Sequence, residues 1–383
     1  MDNFINVQVK KSEKNFTISI YDDLISNPGK YMNIYSPGKT MIIVTPSVYF
    51  HYRKFIDELS NCFVSSILEV ICIKEHNKDL FAVSYICNLA NNLGFGKNDI
   101  FISVCGGCCQ DVVTTAAALY KRGIRVIRIP TTLIGAVDAG IGIKSSLNIG
   151  AQKSTVGTFY HPYSVLIDLN FLHTLPSEYM ICGLAEIIKI GIILDADLFN
   201  LIENNLEKLL QCKYYTQPSS RIFEVIYRAI NGMVSQLEIN FYEDISFERL
   251  MDFGHTFSNV LESDSLWTIP HGFAVSIDIA LSLYLSYRFN LLSYKDLERS
   301  LSILINIGLP IFSKYLTQDS CLRALKKAIL HRGGEINLVI PTAIGKGTFI
   351  KKIDDNLLNY INDGLKYLSD KPQKLLTNIT KVG

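Results

Sequence analysis

The chain has 383 residues, of which 48% are hydrophobic and 19% charged, and its formal net charge is +1. This length is enough for two domains with a large core, and the composition is wrong for a disordered chain. Because nucleic-acid binding rests on a basic surface, the near-neutral charge argues against DNA or RNA as the main partner. The most apolar stretch, 273–289, is interrupted by Asp278. No stretch reaches the ~18–20 apolar residues that a membrane-spanning helix needs, so no membrane partner is expected.

The start of the chain does not resemble a signal peptide, because Asp2 and Asn3 follow the first methionine in place of Lys or Arg. We therefore expect a cytoplasmic protein. The nine cysteines are an odd number and lie mostly within apolar segments, which predicts reduced, buried thiols. Cys105, Cys108 and Cys109 cluster, but no second Cys or His pair follows at zinc-finger spacing, so a cysteine-based metal site is not predicted.

The first half of the chain alternates predicted strands and helices. A hairpin is predicted over 7–20, with its turn at 11–15, because apolar and polar residues alternate on both sides. Short apolar runs predict strands buried on both faces at 41–44, 68–73, 100–104 and 124–129. Helices are predicted between them at 52–59, 81–93 and 111–121. This alternation favours a doubly wound, mostly parallel sheet.

The second half changes to long amphipathic segments, which predicts an all-helical region. Helices are predicted at 183–193, 198–210, 222–239, 254–261, 272–289 and 294–306. We therefore expect an α/β domain over 1–172 and a helical domain over 173–383, with a polar tail at 366–383.

Two segments of the first half carry residues suited to a phosphorylated ligand. Gly106 and Gly107 follow a predicted strand and precede a helix, where backbone N–H groups can approach a phosphate, although purely structural turns also carry two glycines. Lys144, Asn148 and Lys153 lie in a Gly-rich, otherwise apolar segment that is expected to be a loop. Ammonium and amide groups there suit a phosphate or a polyol, and solvated loop lysines are the alternative.

The second half carries candidate metal ligands. Glu186 and Lys189 are three residues apart in an apolar segment, so they share one helix face. They form either an internal ion pair or a metal ligand beside a reactive lysine. His255 and His271 are each expected to open a helix. Two His and one Glu are a common set for a catalytic zinc, but spacing alone does not join Glu186 to the histidines.

Several motifs resemble those of the sugar phosphate cyclases, the group that contains 3-dehydroquinate synthase. The matching pieces are Gly-Gly at 106–107 with Asp at 111, Leu-Tyr-Lys-Arg-Gly at 119–123, Pro-Thr-Thr-Leu at 130–133, Val-Asp at 137–138, Leu-Pro at 175–176, Gly-Leu-Ala-Glu at 183–186, Gly-His-Thr-Phe at 254–257 and His-Gly at 271–272. Together with the Lys-Asn-Lys segment they span 40–345 in the right order, so the resemblance rests on several independent motifs.

The resemblance implies a dehydroquinate synthase-like fold: an α/β N-terminal NAD-binding domain and an all-α C-terminal metal-binding domain, with the site between them. It implies a homodimer that binds a small sugar phosphate. The implied ligands of Zn²⁺, or of Co²⁺, are Glu186, His255 and His271. The implied NAD contacts are Glu75, Lys78, Gly106, Gly107, Asp111, Thr131, Thr132 and Asp138. The implied substrate contacts are Lys144, Asn148, Lys153 and Lys189, with Lys144 and Lys189 catalytic, and Arg122 reaching the phosphate in the neighbouring subunit's site.

Residue 252 points to one branch of this family. Dehydroquinate synthases typically carry Asn three residues before the metal-binding His, where this chain has Asp252. Asp252 together with His331, in His-Arg-Gly-Gly at 331–334, resembles the 2-epi-5-epi-valiolone synthases, which use sedoheptulose 7-phosphate. Desmethyl-4-deoxygadusol synthases tend to have Ala and Thr at these two places. The resemblance implies that Asp252 and His331 are catalytic and that Arg332 binds substrate.

The implied reaction is a phosphate-releasing cyclisation, which makes the protein a carbon–oxygen lyase. It proceeds by transient oxidation with NAD, phosphate elimination, re-reduction and an intramolecular aldol step. The alternatives are 3-dehydroquinate synthase, another C7-cyclitol synthase such as a desmethyl-4-deoxygadusol or 2-epi-valiolone synthase, a metal-dependent polyol or glycerol-phosphate dehydrogenase, and a non-catalytic protein with this fold.

Five positions depart from the family pattern. None is a metal ligand, so they bear on substrate identity more than on catalysis. They are Thr45 in place of Asp, Cys105 in place of Gly, Ser154 in place of Asn, Asn259 in place of Pro and Phe273 in place of Glu.

Overall fold

The computed structural model describes residues 15–35, 37–150, 152–211, 215–216 and 220–372. The first half alternates strands and helices, as its apolar runs predict. Its strands are β1 (Thr17–Tyr21), β2 (Thr40–Val44), β3 (Ser66–Val70), β4 (Ile100–Cys105), β5 (Arg125–Pro130), β6 (Lys144–Ile149), β7 (Gln152–Phe159) and β8 (Ser164–Asp168). Its helices are α1 (Pro28–Met32), α2 (Pro46–His51), α3 (Arg53–Asn61), α4 (Leu80–Asn92) and α5 (Gly107–Leu119).

Six of these strands form one parallel sheet in the order β1-β8-β5-β4-β2-β3. Alternate residues of β2 face two different apolar clusters, because both faces of the sheet are covered. The expectation of a doubly wound, mostly parallel sheet is therefore confirmed. The second arm of the predicted hairpin over 7–20 forms β1, which pairs in parallel with β8. Its first arm lies outside the described residues.

The segment that carries Lys144, Asn148 and Lys153 is a β-hairpin, so the expectation of a loop is wrong. Strands β6 and β7 pair antiparallel as a separate two-stranded sheet. The polar residues and glycines of this segment obscure its strand pattern, in which Ser145 is buried and Lys144 is exposed. Gly150 turns the chain between the strands with a φ of +56°, a conformation that glycine adopts at little cost.

Arg128 of β5 fixes this hairpin to the main sheet. Its guanidinium is 1% exposed and donates to the backbone oxygens of Gly140 at 3.2 Å, Tyr160 at 3.3 Å and Gly142. Burial lowers the pKa of Arg128 to about 10, so the group stays charged at neutral pH. The segment that enters β6 and the residue that follows β7 are thereby held by one side chain.

The second half is mostly helical. Its helices are α6 (Ser177–Ile193), α7 (Ala196–Glu203), α8 (Leu206–Leu209), α9 (Arg221–Ile239), α10 (Ser258–Asp264), α11 (His271–Arg288), α12 (Tyr294–Ile307), α13 (Gln318–His331) and α14 (Asp355–Ser369). One antiparallel hairpin of β9 (Leu338–Ala343) and β10 (Lys346–Ile350) also lies in this half, as do α13 and α14, and none of the three was expected. Residues 366–369 belong to α14 and not to a polar tail.

Helices α6 and α11 form the centre of this half. Both are buried around most of their circumference, as expected of a helix with other elements on all sides. They approach so closely at Gly272 that a Cβ there would lie 2.4 Å from the Cα and the backbone oxygen of Cys182. The first turn of α11 is thereby held against the middle of α6.

Asp278 of α11 holds the start of α10. Its buried Oδ2 accepts hydrogen bonds from the backbone N–H groups of Phe257 at 2.5 Å and Ser258 at 3.0 Å, and its Oδ1 accepts one from Ser282 at 3.1 Å. Oδ2 of Asp278 thereby accepts from backbone N–H groups that have no partner within the helix, because they lie at its start. The chain between α9 and α10 is therefore tied to the same helix that opens with His271.

Two further expectations bear on the chain as a whole. The eight described cysteines are free, and four of them are buried, but Cys72 is exposed, so the expectation of buried thiols is only half correct. None of the helices in the described ranges combines the length and apolarity needed to cross a membrane.

The contact at Gly272 generates a prediction. Gly272→Ala places a methyl group into the backbone of α6, so the variant should lose about 1–3 kcal/mol of unfolding free energy, as other overpacked cores do. Urea denaturation measures this loss. Gly29→Ala is the matched control, because a Cβ there would meet only Cys62 Sγ, at 3.9 Å. Equal stability of the two variants would contradict the proposed tight contact.

Candidate active site

One large cleft of about 1370 Å³ lies where the parallel strands end and the helical half begins. Thr45 follows β2, Gly106 follows β4 and Thr131 follows β5, and all three line it. Lys189 of α6 and His271 of α11 line the opposite wall. Ligands of open parallel sheets bind at the carboxyl ends of the strands, so the cleft occupies the expected place.

The Gly106–Gly107 turn forms the floor of the cleft beside α5. A Cβ on Gly106 would lie 3.0 Å from Thr132 Cγ2, and one on Gly107 would lie 3.1 Å from the Cβ of Ala139. The backbone at the start of α5 is therefore bare of side chains, which suits a phosphate group at a helix N-terminus. Cys105, which replaces a family glycine, is fully buried and does not line the cleft.

Three of the predicted NAD contacts form one ion-paired group. Lys78 is 4% exposed, and its Nζ lies 2.9 Å from Asp111 Oδ2 and 3.5 Å from Glu75 Oε1. Burial alone would raise the pKa of Glu75, but the charges of Lys78 and Lys153 outweigh it and lower that pKa to about 2. The cleft wall beside the glycine turn thus carries two carboxylates and one ammonium group. Thr131, Thr132 and Asp138 also line the cleft.

Asn148 does not reach the cleft. Its Nδ2 donates to the backbone oxygen of Glu75 at 2.8 Å and to Glu75 Oε1 at 3.0 Å, and its Oδ1 accepts from the N–H of Ser154 at 3.0 Å. The structure therefore places Asn148 behind Glu75, as a link between the hairpin and residue 75, and not on the lining where a substrate contact is expected. Ser154, one of the departures from the family pattern, contributes to this link through its backbone.

The three expected metal ligands converge. Glu186 Oε1 lies 3.2 Å from His271 Nε2 and 3.6 Å from His255 Nε2. The Nδ1 of His255 is 3.0 Å from the carbonyl oxygen of Phe253, so Nδ1 carries the proton and Nε2 is a free acceptor. Oε1 of Glu186, the oxygen that faces the two histidines, is buried and accepts no hydrogen bond from the described residues. Acceptors that face one another without a donor fit a cation, and a His₂Glu set with an open position suits zinc.

The sequence spacing alone does not predict how the two histidines and Glu186 come together. His271 is the first residue of α11, as expected, but His255 lies in a loop three residues before α10, so the expectation that it opens a helix is wrong. Gly254 has a φ of +75°, which breaks the helical run there. Lys189 Nζ lies 2.5 Å from Glu186 Oε2. Glu186 therefore forms the internal ion pair with one oxygen and faces the histidines with the other.

Glu262 is a buried acid of this site that was not predicted from the sequence. It is 2% exposed, and its Oε1 lies 2.9 Å from His271 Nδ1. Its Oε2 lies 2.5 Å from Lys153 Nζ. In the sequence, Glu262 is marked only by being a charged residue that directly follows the apolar pair Val260 and Leu261.

Asp252 is fixed by two arginines. Its Oδ2 lies 2.6 Å from Arg249 Nη2 and 3.3 Å from Arg332 Nε. Burial alone would raise the pKa of Asp252, but Arg249 and Arg332 lower it to about 2. Arg332 also donates to Thr256 Oγ1 at 3.1 Å and to the backbone oxygen of Ile336 at 2.9 Å. Arg332 lines the cleft, and its contact with substrate stays a prediction, whereas Arg249 is a cleft residue that was not predicted.

The remaining expected residues divide between the cleft and the outer surface. Lys144 lines the cleft and pairs with Glu243, which also binds Arg249. His331 lines the cleft at the end of α13. Arg122 is exposed, has a φ of +62° and is not on the cleft lining. Its contact with a neighbouring subunit stays a prediction.

Comparisons with known proteins identify the family of this chain. The family model for the 3-dehydroquinate synthase N-terminal region matches residues 69–182, and that for the 3-dehydroquinate synthase C-terminal region matches residues 183–328. The chain belongs to this family. The resemblance to the sugar phosphate cyclases is thereby confirmed, and the two matched regions together contain all three metal-ligand candidates.

Several individual relatives are named 2-epi-5-epi-valiolone synthases. A 2-epi-5-epi-valiolone synthase of Streptomyces glaucescens is 36% identical over 282 residues, which cover 73% of this chain and 71% of that protein. The structure of ValA, the 2-epi-5-epi-valiolone synthase of Streptomyces hygroscopicus subsp. jinggangensis 5008 with NAD⁺ and Zn²⁺ bound, matches with a TM-score of 0.89 and 32% identity over 95% of this chain and 99% of that one. A 2-deoxy-scyllo-inosose synthase, complexed with carbaglucose-6-phosphate, NAD⁺ and Co²⁺, matches with a TM-score of 0.76 and 20% identity over 91% of this chain and 96% of that one, which shows the shared fold.

The donor geometry predicts how metal binding depends on His255. His255→Ala removes one of three ligands, so the protein should no longer retain metal after dialysis against a weak chelator, as measured by elemental analysis. His331→Ala is the control, because this imidazole lies outside the donor set. Stoichiometric zinc in His255→Ala, or loss of zinc in His331→Ala, would contradict the assignment.

Proposed function

We propose that the chain is a cyclase that converts sedoheptulose 7-phosphate into 2-epi-5-epi-valiolone with release of phosphate, a carbon–oxygen lyase reaction. The observation that carries this proposal is Asp252, fixed by two arginines in the cleft that also holds the metal donors and the glycine turn. Relatives that are 34–36% identical over most of the chain and named 2-epi-5-epi-valiolone synthases support it.

The cofactors of the proposed reaction are NAD and Zn²⁺, or Co²⁺ as in a related synthase. The bare backbone at Gly106 and Gly107 would hold the NAD pyrophosphate, and Glu186, His255 and His271 would hold the metal. When bound, NAD supplies a reversible hydride acceptor and the metal supplies a Lewis acid for the hydroxyl group that is oxidised. The division into domains at residue 172 belongs to the same proposal.

Lys189 and Lys144 would stabilise the negative charge that develops on the substrate oxygens. Lys189 is 1% exposed, and Glu186 fixes its ammonium group at the metal site. A group held in this way needs no reorganisation as charge develops, which is the condition for strong electrostatic stabilisation. Lys144 approaches the cleft from the hairpin, so the two lysines face the substrate from opposite halves of the protein.

Three carboxylates of the cleft are poor proton acceptors, and we propose His331 and the substrate's own phosphate for this role. Glu75, Asp252 and Glu262 each have a pKa of about 2, which makes them weak bases at neutral pH. Burial and the charges of Lys327 and Arg332 lower the pKa of His331, so its imidazole is neutral. The departing phosphate is itself basic enough to take the proton from the neighbouring carbon.

Asp252 would select the substrate because it already pairs with Arg249 and Arg332, which a substrate carboxylate would otherwise contact. The dehydroquinate synthase substrate carries a carboxylate at its anomeric carbon, whereas sedoheptulose 7-phosphate carries a hydroxymethyl group there. Simple charge repulsion does not describe this contact, because Arg249 and Arg332 already balance the charge of Asp252. A substrate carboxylate would instead have to compete with Asp252 for Arg249, while a hydroxyl group can donate to Asp252.

We further propose that the enzyme is a cytoplasmic homodimer. Arg122 lies outside the cleft of its own chain and is presented on the surface by two successive residues with positive φ, Lys121 and itself. A guanidinium in this position serves a phosphate only if the phosphate lies in a second subunit's cleft.

The substrate assignment is tested by turnover. Incubation with NAD⁺, Zn²⁺ and sedoheptulose 7-phosphate should release phosphate and yield a cyclitol that NMR identifies, without lasting NADH absorbance. The carboxylated sugar 3-deoxy-arabino-heptulosonate 7-phosphate is the comparison substrate, and its preferred turnover would favour 3-dehydroquinate synthase. A different cyclitol would favour another C7-cyclitol synthase. One equivalent of NADH per product would favour the dehydrogenase and overturn the cyclase proposal.

The role of Asp252 generates its own prediction. Asp252→Asn should free Arg249, weaken turnover of sedoheptulose 7-phosphate about tenfold or more, and improve binding of the carboxylated sugar, with zinc content unchanged. Steady-state kinetics with both sugars measure this shift. Asp296→Asn is the control, because Asp296 pairs with Arg299 outside the cleft. An unchanged ratio of kcat/KM for the two sugars would contradict the selective role.

A further inference from the structure

Glu262, which is not itself a metal-ligand candidate, touches both a metal-ligand candidate and a lysine expected to hold substrate. Its two oxygens are used separately: Oε1 lies 2.9 Å from His271 Nδ1 and Oε2 lies 2.5 Å from Lys153 Nζ. The side chain is 2% exposed, and Lys153 is 8% exposed, so the contact is shielded from solvent. Charge-assisted contacts of this kind are stronger and more directional than surface ion pairs.

The contact with Oε1 determines where the proton of His271 lies once a metal is bound. If Nε2, which lies 3.2 Å from Glu186 Oε1, binds the metal, the proton must be on Nδ1, and Glu262 Oε1 would accept it because a carboxylate oxygen can only accept. A carboxylate on the far nitrogen also makes the imidazole a better metal ligand and fixes the plane of its ring. His255 receives only a neutral carbonyl in this place, from Phe253. The two histidines are thus supported unequally.

The contact with Oε2 crosses between the two halves of the protein. Lys153 belongs to β7 of the hairpin, whereas Glu262 and His271 belong to α10 and α11. Lys153 Nζ lies 3.2 Å from His271 Nδ1 as well, so the ammonium group, the carboxylate and the imidazole form one compact triangle. The position of Lys153 therefore depends on the same carboxylate that orients His271.

We propose that Glu262 is a positioning residue that couples the metal ligand His271 to Lys153 on the opposite wall of the cleft. Through Oε1 it sets the tautomer and the basicity of His271, and through Oε2 it aims Lys153 at the substrate. The second role rests on the proposed function, because it takes Lys153 as a substrate contact, and the first does not.

Zinc affinity tests the first role without any turnover. Glu262→Gln keeps an acceptor for His271 but removes the charge, and Glu262→Ala removes both. Competition of the metal-free proteins with a chromogenic chelator should show zinc affinity reduced about tenfold in Glu262→Gln and up to about 100-fold in Glu262→Ala. Asp264→Asn is the matched control, since Asp264 lies on the same helix and pairs with Arg323 at the surface. Wild-type affinity in Glu262→Ala, or an equal loss in Asp264→Asn, would overturn the proposal.

A double-mutant cycle tests the coupling to Lys153. At saturating zinc and NAD⁺, Glu262→Gln should raise the KM for sedoheptulose 7-phosphate by a larger factor than it lowers kcat. The same substitution should leave KM unchanged in a Lys153→Met background, because the residue through which it acts is gone. An equal rise in KM in both backgrounds would show that Glu262 does not act through Lys153.

The outcomes also separate this proposal from the assignment of the substrate. If the wild-type protein cyclises another sugar phosphate, the same cycle is measured with that sugar, and the zinc experiment stands unaltered. Thermal unfolding of the metal-free variants checks the fold: Glu262→Gln leaves the buried ammonium group of Lys153 without a carboxylate and should lower the unfolding temperature, and the same substitution in the Lys153→Met background, which removes both charges, should lower it less. A zinc affinity that falls only in proportion to lost thermal stability would assign Glu262 a purely structural role and overturn the proposal.

Discussion

The candidate site depends on one close contact between two helices. At Gly272 the backbone of α11 meets the backbone of α6 with no room for a Cβ, and this places His271 opposite Glu186. Asp278, six residues further along α11, holds the start of α10 and with it the loop that carries His255. Three metal donors from three separate segments thus owe their positions to a single helix, and the rest of the cleft is assembled around it.

The α/β half is joined to this helical centre by a shared apolar cluster and also by charged side chains. Arg128 ties the hairpin of β6 and β7 to the parallel sheet, and Lys153 then reaches from the hairpin to Glu262. Buried charges of this kind are costly unless each is paired, so they specify one relative arrangement of the groups involved. The position of the hairpin is therefore fixed by the hydrogen bonds of Arg128 on one side and by the Lys153–Glu262 ion pair on the other.

Sequence reasoning succeeded where the information is local. Apolar runs predict the buried strands, and the helical spacing of apolar residues predicts the long helices. The glycine turn is predicted from its place after a strand. The direction of a polar side chain is not local: Asn148 has a residue type suited to a hydroxyl group but turns to Glu75. The partners of Glu262 are fixed only when distant segments meet, since Lys153 is 109 residues before Glu262. The metal donors were identified through the family's motifs and not through spacing.

The pairing of the cleft's cations has a consequence for how a substrate arrives. Six of them already contact a carboxylate of the protein: Lys78, Lys144, Lys153, Lys189, Arg249 and Arg332. A sugar phosphate therefore does not enter a cleft with a large excess of positive charge. To contact these cations, its phosphate has to replace carboxylates of the protein at short range. Long-range steering is weak in such a site, and added salt, which screens charges beyond about 8–10 Å, has little to weaken. The encounter is governed by the shape of the cleft and by the rearrangement of its ion pairs.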